Sequence, residues 1–321
     1  MNVELMVQNG GTRYFPVVEE GIELALERKG QAGKLTFSVV KDETINFQEG
    51  NPVKLTVDGT DLFYGFVFTK KRGKGPAIHV VAYDQIRYLI KNKDTMKYKE
   101  KKASELIKMI AADYRLNCGT IEDTGYVIES RKEENQTLID IILNALDATM
   151  TNTKKLYVLY DDCGKLTVKN IESMKLNLLI HEETGGNLDY TSSIDKQTYN
   201  KIKLAYDNEK AGKRDIFIAQ DGQHMNDWGI LQHFESLDDP TGAAERANAL
   251  LGLYNQKTRD LTIQNAIGDV RVRAGSSLVV ALNLGDIITN NFMVVHKVKH
   301  KFKENEHLMD LTLIGGGEFI A

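Results

Sequence analysis

Cysteine, proline and tryptophan are scarce in this chain of 321 residues. It has two cysteines, four prolines and one tryptophan. Two widely separated cysteines, Cys118 and Cys163, do not make the framework of a disulfide-rich secreted protein, so we expect reduced, buried thiols in a reducing compartment. Four prolines leave little material for long extended linkers.

Long apolar runs and an excess of basic residues are missing too. No run approaches the roughly 18 apolar residues that a membrane-spanning helix needs. The 41 Lys and Arg are outnumbered by 45 Asp and Glu, which gives a net charge of −4. Since nucleic-acid and anionic-membrane binding both depend on basic surfaces, we expect no specific nucleic-acid binding and no direct membrane insertion. Residues 1–5 lack the basic region of a signal peptide, so we expect synthesis in the cytoplasm without a cleaved signal.

The sequence patterns of enzyme active sites are also not found. There is no Gly-x-Ser-x-Gly elbow, no His-Glu-x-x-His motif and no phosphate-binding glycine loop followed by a helix. The best metal candidates are His296, His300 and His307. On one strand His296 and His300 lie about 13 Å apart, whereas His307, across a hairpin, is placed to face His300. We interpret all three as surface strand histidines, and expect no catalytic residue, no metal and no cofactor.

A chain of 321 residues exceeds the size at which single cores stop growing, so two or three domains are expected. Residues 1–92 read as short strands, because apolar and polar residues alternate and Asp58-Gly59 is a strong hairpin signal. We expect a first small β-barrel domain here; the pattern alone leaves a sandwich open.

Residues 93–185 differ in kind. Apolar residues recur at helical spacing over 104–114 and over 137–150, where Thr137 is the expected N-cap. A hairpin follows over 156–170. Two helices and a hairpin predict an α+β middle domain.

Residues 186–321 return to β. Strands are predicted over 200–206 and 214–220, and one helix near 240–256 with Asp238 or Asp239 as its cap. We expect a second β-barrel domain with this helix inserted. The fold class is therefore mainly β with α+β, with two similar small antiparallel β-barrels flanking a helix-containing α+β domain.

The two β regions share a pattern of strands and turns about 226 residues apart. The offsets of the four matching anchors are 226, 225, 226 and 226. These anchors are Leu35-Thr36-Phe37 with Leu261-Thr262-Ile263, Gly50 with Gly275, Asp58-Gly59 with Leu284-Gly285, and Phe66-Val67-Phe68 with Phe292-Met293-Val294. The pattern indicates a duplicated β unit; the alternative is two unrelated sheets that share turn chemistry.

Two surface features are candidates for protein contacts. The basic segment Lys70, Lys71, Arg72 followed by Lys74 is either a solvated hairpin end or a contact for an acidic partner protein. Trp228, the only tryptophan, is predicted to lie in a polar loop and either anchors an interface or packs within its own unit.

The order of these features resembles the hub proteins of contractile phage tails, the XkdQ-like hubs of PBSX-type prophages and tail-like bacteriocins, related to the N-terminal hub part of VgrG. The resemblance rests on segments spread over nearly the whole chain. They are Gly33-Lys34-Leu35-Thr36-Phe37, Phe63-Tyr64-Gly65-Phe66-Val67, Ala82-Tyr83-Asp84-Gln85, Ala103-Ser104-Glu105-Leu106-Ile107, Tyr199-Asn200-Lys201-Ile202, Trp228-Gly229, Ala274-Gly275-Ser276 and His300-Lys301-Phe302.

The resemblance implies a homotrimer whose six barrels form a ring of near six-fold symmetry. One face of the ring would contact the hexameric tail tube and the other the trimeric central spike, with other baseplate proteins around it, in a particle assembled from chains made in the bacterial cytoplasm. Two other function classes stay open: a tail-associated peptidoglycan hydrolase, and a monomeric duplicated β-module that binds a glycan or peptide. Phage, bacteriocin and other injection devices are not distinguished.

Overall fold

The computed structural model describes residues 1–41, 44–181, 186–195, 197–208, 212–237, 239–283 and 288–315. Strands make up 54 % and helices 19 %, so the predicted mainly β class is confirmed. The three largest clusters of buried apolar side chains lie in the N-terminal strands, the middle helices and the C-terminal strands. None of the described helices has both the length and the apolar character needed to cross a membrane.

The N-terminal region is an antiparallel sheet. Its strands are β1 (Val3–Asn9), β2 (Thr12–Tyr14), β3 (Val18–Glu27), β4 (Lys34–Val40), β5 (Pro52–Val57), β6 (Thr60–Arg72) and β7 (Ala77–Tyr83). They pair in the order β3-β4-β7-β6-β5-β1-β2. Asp58 and Gly59 close the β5–β6 hairpin with φ values of 46° and 79°, as their sequence predicts. In β4, buried Leu35, Phe37 and Val39 point to the core at every second position.

The middle region combines helices with two small sheets. Its elements are α1 (Ile86–Lys91), β8 (Lys93–Lys102), α2 (Ala103–Asp113), β9 (Cys118–Ile121), β10 (Val127–Thr137), α3 (Leu138–Thr153), β11 (Tyr157–Asp161), β12 (Leu166–Asn170) and a 3-10 turn (Ile171–Met174). One sheet is β10-β8 and the other is β11-β12-β9. Both predicted helices and the hairpin are confirmed, and the Thr137 hydroxyl accepts a hydrogen bond from the Asp140 amide at 3.2 Å. The ribbon of β8 and β10 was not predicted.

The C-terminal region contains a second part of the large sheet and a separate small one. Its elements are β13 (Lys175–Ile180), β14 (Leu188–Ser193), β15 (Lys201–Asn208), β16 (Lys213–Gln220), α4 (Gly222–Trp228), β17 (Gln232–Leu237), α5 (Ala243–Tyr254), β18 (Thr258–Ile267), β19 (Ser277–Asn283), β20 (Ile288–Lys303) and β21 (Glu306–Gly315). The small sheet, β16-β15-β17, packs one face on α5. It includes both strands predicted over 200–220.

Three local predictions were wrong. The segment that holds Trp228 is the short helix α4 instead of a polar loop. Helix α5 is capped by Gly242 in the left-handed region, while Asp239 accepts from the Thr241 amide and closes the turn before it; Asp238 lies outside the described residues. Cys118 is free but exposed, because it stands at the start of a short edge strand.

The two β units share one strand order. It is β4-β7-β6-β5 in the N-terminal unit and β18-β21-β20-β19 in the C-terminal unit, with every neighbouring pair antiparallel. Both units also have a bulge at an equivalent point. The register of β6 on β7 shifts after Val67, and that of β20 on β21 shifts after Val295. The strand order of the predicted repeat is therefore confirmed.

A glycine clamps the bulged strand in each unit. The Gly50 amide donates to the Val67 carbonyl at 2.7 Å. The Val67 amide in turn donates to the carbonyl of the residue after Gly50, at 2.9 Å. The Gly275 amide likewise donates to the Val295 carbonyl at 2.8 Å, and the Val295 amide donates back at 2.8 Å. Both glycines have positive φ, 86° and 93°, a conformation that costs other residues energy. We call these two arrangements the glycine clamps.

The clamps correct the predicted alignment. The offset of 225 between Gly50 and Gly275 is right, but Val67 matches Val295, an offset of 228 where the sequence suggested 226. The reason is the connecting turn: two residues separate β5 from β6, whereas four separate β19 from β20. The predicted anchor Leu284-Gly285 lies outside the described residues.

Strand β20 joins the two units. Its first half pairs with β19, and Lys297 to Phe302 pair with Glu27 to Ile22 of β3. The Phe302 side chain is buried in the core of the N-terminal unit. The described strands of both units therefore form one 13-stranded sheet whose pairing order is an open path. Closure of each unit into a barrel stays a prediction.

Candidate assembly surfaces

The predicted basic segment is divided by the fold. Lys70 is half-buried, and its ammonium donates to the Phe47 carbonyl and lies 4.5 Å from the Phe47 ring centroid. Lys71 and Arg72, at the end of β6, are exposed. Lys71 and Arg72 therefore project from this hairpin without a partner among the described residues, and Lys70 instead attaches the loop before β5 to β6.

Trp228 is fixed in one orientation by its own helix. Its indole stacks on the His224 ring with centroids 3.9 Å apart and planes 14° apart. Asn255 supports this stack, because its Oδ1 lies 2.8 Å from His224 Nδ1 and its Nδ2 donates to Asp221 at 2.7 Å. The hydrogen bonds from Asn255 and from two helix amides lower the pKa of Asp221. The indole is half-buried, and its role in an interface stays a prediction.

These two predicted surfaces are separate. Lys71 and Arg72 belong to the 13-stranded sheet, whereas Trp228 ends the helix beside the small three-stranded sheet. Within the described ranges no hydrogen bond, ion pair or ring contact connects them. If both contact partners, they contact them at different places.

An exposed apolar face was missed by the sequence reasoning. Ile216, Ile218 and Phe234 are 50 %, 53 % and 50 % exposed on the face of the small sheet that points away from α5. Ile218 and Phe234 flank Lys203 in one cross-strand row. The signal was present in β16, where isoleucines at both positions beside Phe217 give a strand with two apolar faces.

A buried junction holds the three regions together. Asp84 accepts from the Gly33 amide at 2.8 Å, Gln85 donates to the Asp161 carboxylate at 2.9 Å, and Arg273 donates to the Asp161 carbonyl at 2.8 Å. Burial raises the pKa of both Asp84 and Asp161. The two residues are 4 % and 8 % exposed, so a substrate does not reach them. The Tyr-Asp segment of the resemblance is thus a structural junction in this chain.

The predicted contact between His300 and His307 is confirmed at 2.9 Å, from Nδ1 to Nε2. His300 Nε2 lies 2.9 Å from the Val272 carbonyl and donates to it, so Nδ1 accepts from His307. The prediction of a surface histidine is wrong for His300, which is 2 % exposed because it points into the core beside Val272. Burial, with a smaller effect of His307, lowers the pKa of His300 to about 3. His296 is elsewhere, 3.8 Å from Glu27. In the described part of the chain no three His, Cys, Asp or Glu side chains are grouped to hold a metal ion.

Sequence comparison adds relatives of nearly the same length. The sequence model of the YqbQ-like family matches residues 22–314. YqbQ of Bacillus subtilis is 29 % identical over 317 residues, covering 94 % of each chain. XkdQ, from the phage-like element PBSX of the same organism, is 28 % identical with the same coverage. The predicted resemblance to XkdQ-like proteins is therefore confirmed.

Solved structures show the same fold at low identity. The 43 kDa tail protein of prophage MuSo2 from Shewanella oneidensis superposes with a TM-score of 0.70 at 12 % identity, covering 97 % of this chain and 98 % of its own. A chain of the PdpA–VgrG complex of Francisella gives a TM-score of 0.56 at 14 % identity, covering 97 % of this chain and 52 % of its own. The relation to VgrG-type folds is thus confirmed for the fold.

Proposed function

Because the chain belongs to the YqbQ-like family, we propose that it is the structural baseplate hub of a contractile phage tail or tail-like particle. In this role three copies form a ring that joins the hexameric tail tube to the trimeric central spike, with other baseplate proteins attached around it. The chain is made in the bacterial cytoplasm and assembled into the particle. The hub breaks no bond; it positions its partners.

The repeated β unit carries this proposal. Each chain contains two β units, which have the same strand order and each contain a glycine clamp. A cyclic three-fold arrangement of such chains presents six similar units in alternation. A six-fold tube then meets near six-fold surroundings on one side, and a three-fold spike meets true three-fold symmetry on the other.

The three regions have different tasks in the proposed hub. Residues 1–92 and 186–321 are the two ring domains, the second with its inserted helix. Residues 93–185 support the ring from outside, except for strand β13, which pairs with β19 of the second ring domain. The buried junction supports fixed relative positions, since Gln85 of the first region and Arg273 of the third both donate to Asp161 of the second.

Partner contacts are assigned to exposed groups. Lys71 and Arg72 are free to pair with acidic groups of a neighbouring tail protein, and the fixed indole of Trp228 offers a rigid apolar contact. A net charge of −4 suits a passage for DNA, because a basic lining would bind phosphates and hold them. The hub therefore binds no nucleic acid specifically.

The test of the proposal is the mass of the assembled protein. The chain is co-expressed with the tube and spike proteins of its own operon, purified, and measured by light scattering. We expect three chains of 36.1 kDa, about 108 kDa together, and a larger mass by that of the partners when they are bound. A single chain in the presence of both partners would refute the hub assignment.

The assigned contacts are tested in the same co-purification. Replacing Lys71 and Arg72 by Glu, or Trp228 by Ala, is expected to reduce the amount of partner recovered without changing the circular dichroism spectrum. The control replaces Lys155 and Lys165, two exposed lysines of the middle region, by Glu. It matches the double variant in charge, and equal losses in both would show an effect of net charge alone.

A further inference from the structure

The ribbon of β8 and β10 has one covered face and one open face. Helices α2 and α3 pack against it, and Tyr98 and Ile128 are 3 % and 6 % exposed on the covered side. Lys97 and Lys99 flank Tyr98 and are exposed, because neighbouring side chains of a strand point to opposite faces. The open face therefore contains Lys97 and Lys99 of β8, with Lys132 and Ser130 of β10 opposite them.

The positive charge of this face contrasts with the negative net charge of the whole chain. Strand β8 alone has five lysines among its ten residues, with two acidic residues, whereas the whole chain has a net charge of −4. Lys97 and Lys99 make no ion pair or hydrogen bond within the described ranges. Across the ribbon, Lys132 stands directly opposite Lys97 and is paired only with Glu134. We call Lys97, Lys99 and Lys132 the lysine face.

A like-charge pair directly opposite in a sheet destabilises it. Lysines on exposed strands also protect edges against aggregation, but that protection does not require two lysines to oppose each other. Glu134 compensates the charge of Lys132, whereas Lys97 and Lys99 have no acidic partner among the described residues. Binding of a complementary, acidic group would supply that partner.

We infer that the lysine face binds an acidic segment of a partner protein. Lys97 and Lys99 are two residues apart on a strand, a spacing of about 6.7 Å, which matches carboxylates at every second position of an extended segment. Nucleic acid fits less well. Tyr98, the aromatic residue of the ribbon, is buried and offers no ring to stack on a base, and Arg131 is engaged by Glu133.

This inference does not depend on the hub assignment, because it concerns a surface of the middle region and needs no oligomer. The binding experiment uses a fluorescein-labelled eight-residue peptide of alternating Glu and Ser. Fluorescence anisotropy measures its binding to the full chain at about 50 mM salt, where screening is weak. We expect saturable binding that is lost at about 500 mM salt.

The decisive comparison is between two variants of equal charge. The double variant Lys97→Glu with Lys99→Glu should weaken peptide binding by at least about ten-fold, equivalent to 1.4 kcal/mol. The double variant Lys155→Glu with Lys165→Glu, outside the ribbon, should change it by less than about three-fold. Equal losses in the two variants, or no binding by the unmodified chain, would overturn the inference. So would tighter binding of an eight-nucleotide oligo-dT that the first variant abolishes, because the face would then be a nucleic-acid site.

Stability provides a second, independent readout. Replacing Lys97 alone by Glu places opposite charges across the ribbon, so the melting temperature should rise by about 1 °C or more while peptide affinity falls. A variant that loses both affinity and stability would show that Lys97 has a structural role, against the inference. Lys97→Gln, which removes the charge without reversing it, should lie between the two in affinity.

Discussion

Gly50 and Gly275 occupy equivalent positions in the two glycine clamps, but their surroundings differ. A Cβ on Gly50 would meet no atom within 4 Å, whereas one on Gly275 would lie 2.9 Å from Val158 Cγ1 and 3.2 Å from Met174 Cε. Side chains of the middle region therefore pack against Gly275, whereas the space beside Gly50 is open. The repeat therefore keeps the backbone conformation at both sites and adds a steric constraint at one.

Alanine at each glycine separates these two effects. Gly50→Ala should lower the free energy of unfolding by about 1–2 kcal/mol through its positive φ. Gly275→Ala should lose a further 1–3 kcal/mol or so through overpacking. Urea unfolding followed by circular dichroism measures both, with Gly73→Ala as the control, since Gly73 has neither positive φ nor a neighbour within 4 Å. Equal losses at Gly50 and Gly275 would contradict the packing argument.

His300 predicts how stability depends on pH. Its pKa is lowered to about 3 in the folded chain, below the value of about 6.5 in an unfolded one. The unfolded state therefore binds the proton first, and stability falls as pH drops from about 6.5 toward 3, by up to about 1.4 kcal/mol per pH unit. Raised pKa values of Asp84 and Asp161 act in the opposite direction.

The variant His300→Gln isolates the contribution of His300 to the pH dependence of stability, because Asp84 and Asp161 are present in both the variant and the unmodified protein. Unfolding free energies at pH 7.5, 6 and 5 should fall less steeply with acidification in the variant. His307 and Asp269 surround the site and remain in place. Parallel pH profiles for the two proteins would show that His300 does not titrate as its burial requires.

At the scale of elements, strand β20 contributes to both β units, because it pairs with β19 of one and with β3 of the other. Phe302 comes from the C-terminal unit but is 4 % exposed in the core of the N-terminal one. Phe302→Ala should cost about 3–5 kcal/mol of unfolding free energy. The control Phe234→Ala, at a position 50 % exposed, should change it by less than about 0.5 kcal/mol. A small loss at Phe302 would mean that the units do not depend on this connection.

Elements with strong local signals were predictable from the sequence. Helix α3 has a period of 3.6 and the Thr137 cap, and the β5–β6 hairpin has Asp58-Gly59 at its turn; both stand where the sequence predicted them. Strand β8 was missed because its outward lysines hide the alternation around Tyr98, so that it reads as a charged loop. Helix α4, with 7 residues, is too short for its period to be recognised.

The candidate surfaces were only partly predictable for a different reason. Exposure of Lys71 and Arg72 follows from their place at a hairpin end, which the sequence marks. The contact of Lys70 with Phe47 depends on how the loop before β5 approaches β6, and no local pattern encodes that approach. The opposition of Lys97 and Lys132 likewise depends on a strand register that only the folded ribbon fixes.

At the scale of the whole molecule, each chain contains two β units of the same design. Their shared strand order and clamps are features of a single chain, whereas the ring is a statement about three. In the proposed ring the N-terminal and C-terminal units alternate at one radius, and the lysine face of the middle region points outward to a further partner.

The most direct test is a three-dimensional reconstruction by electron microscopy of the purified protein bound to the tube and spike proteins of its operon. The account predicts three chains around one axis, with both β units of every chain in the ring and a nearly six-fold outline. A ring made of only one kind of unit, with the other kind placed outside it, would contradict the central claim.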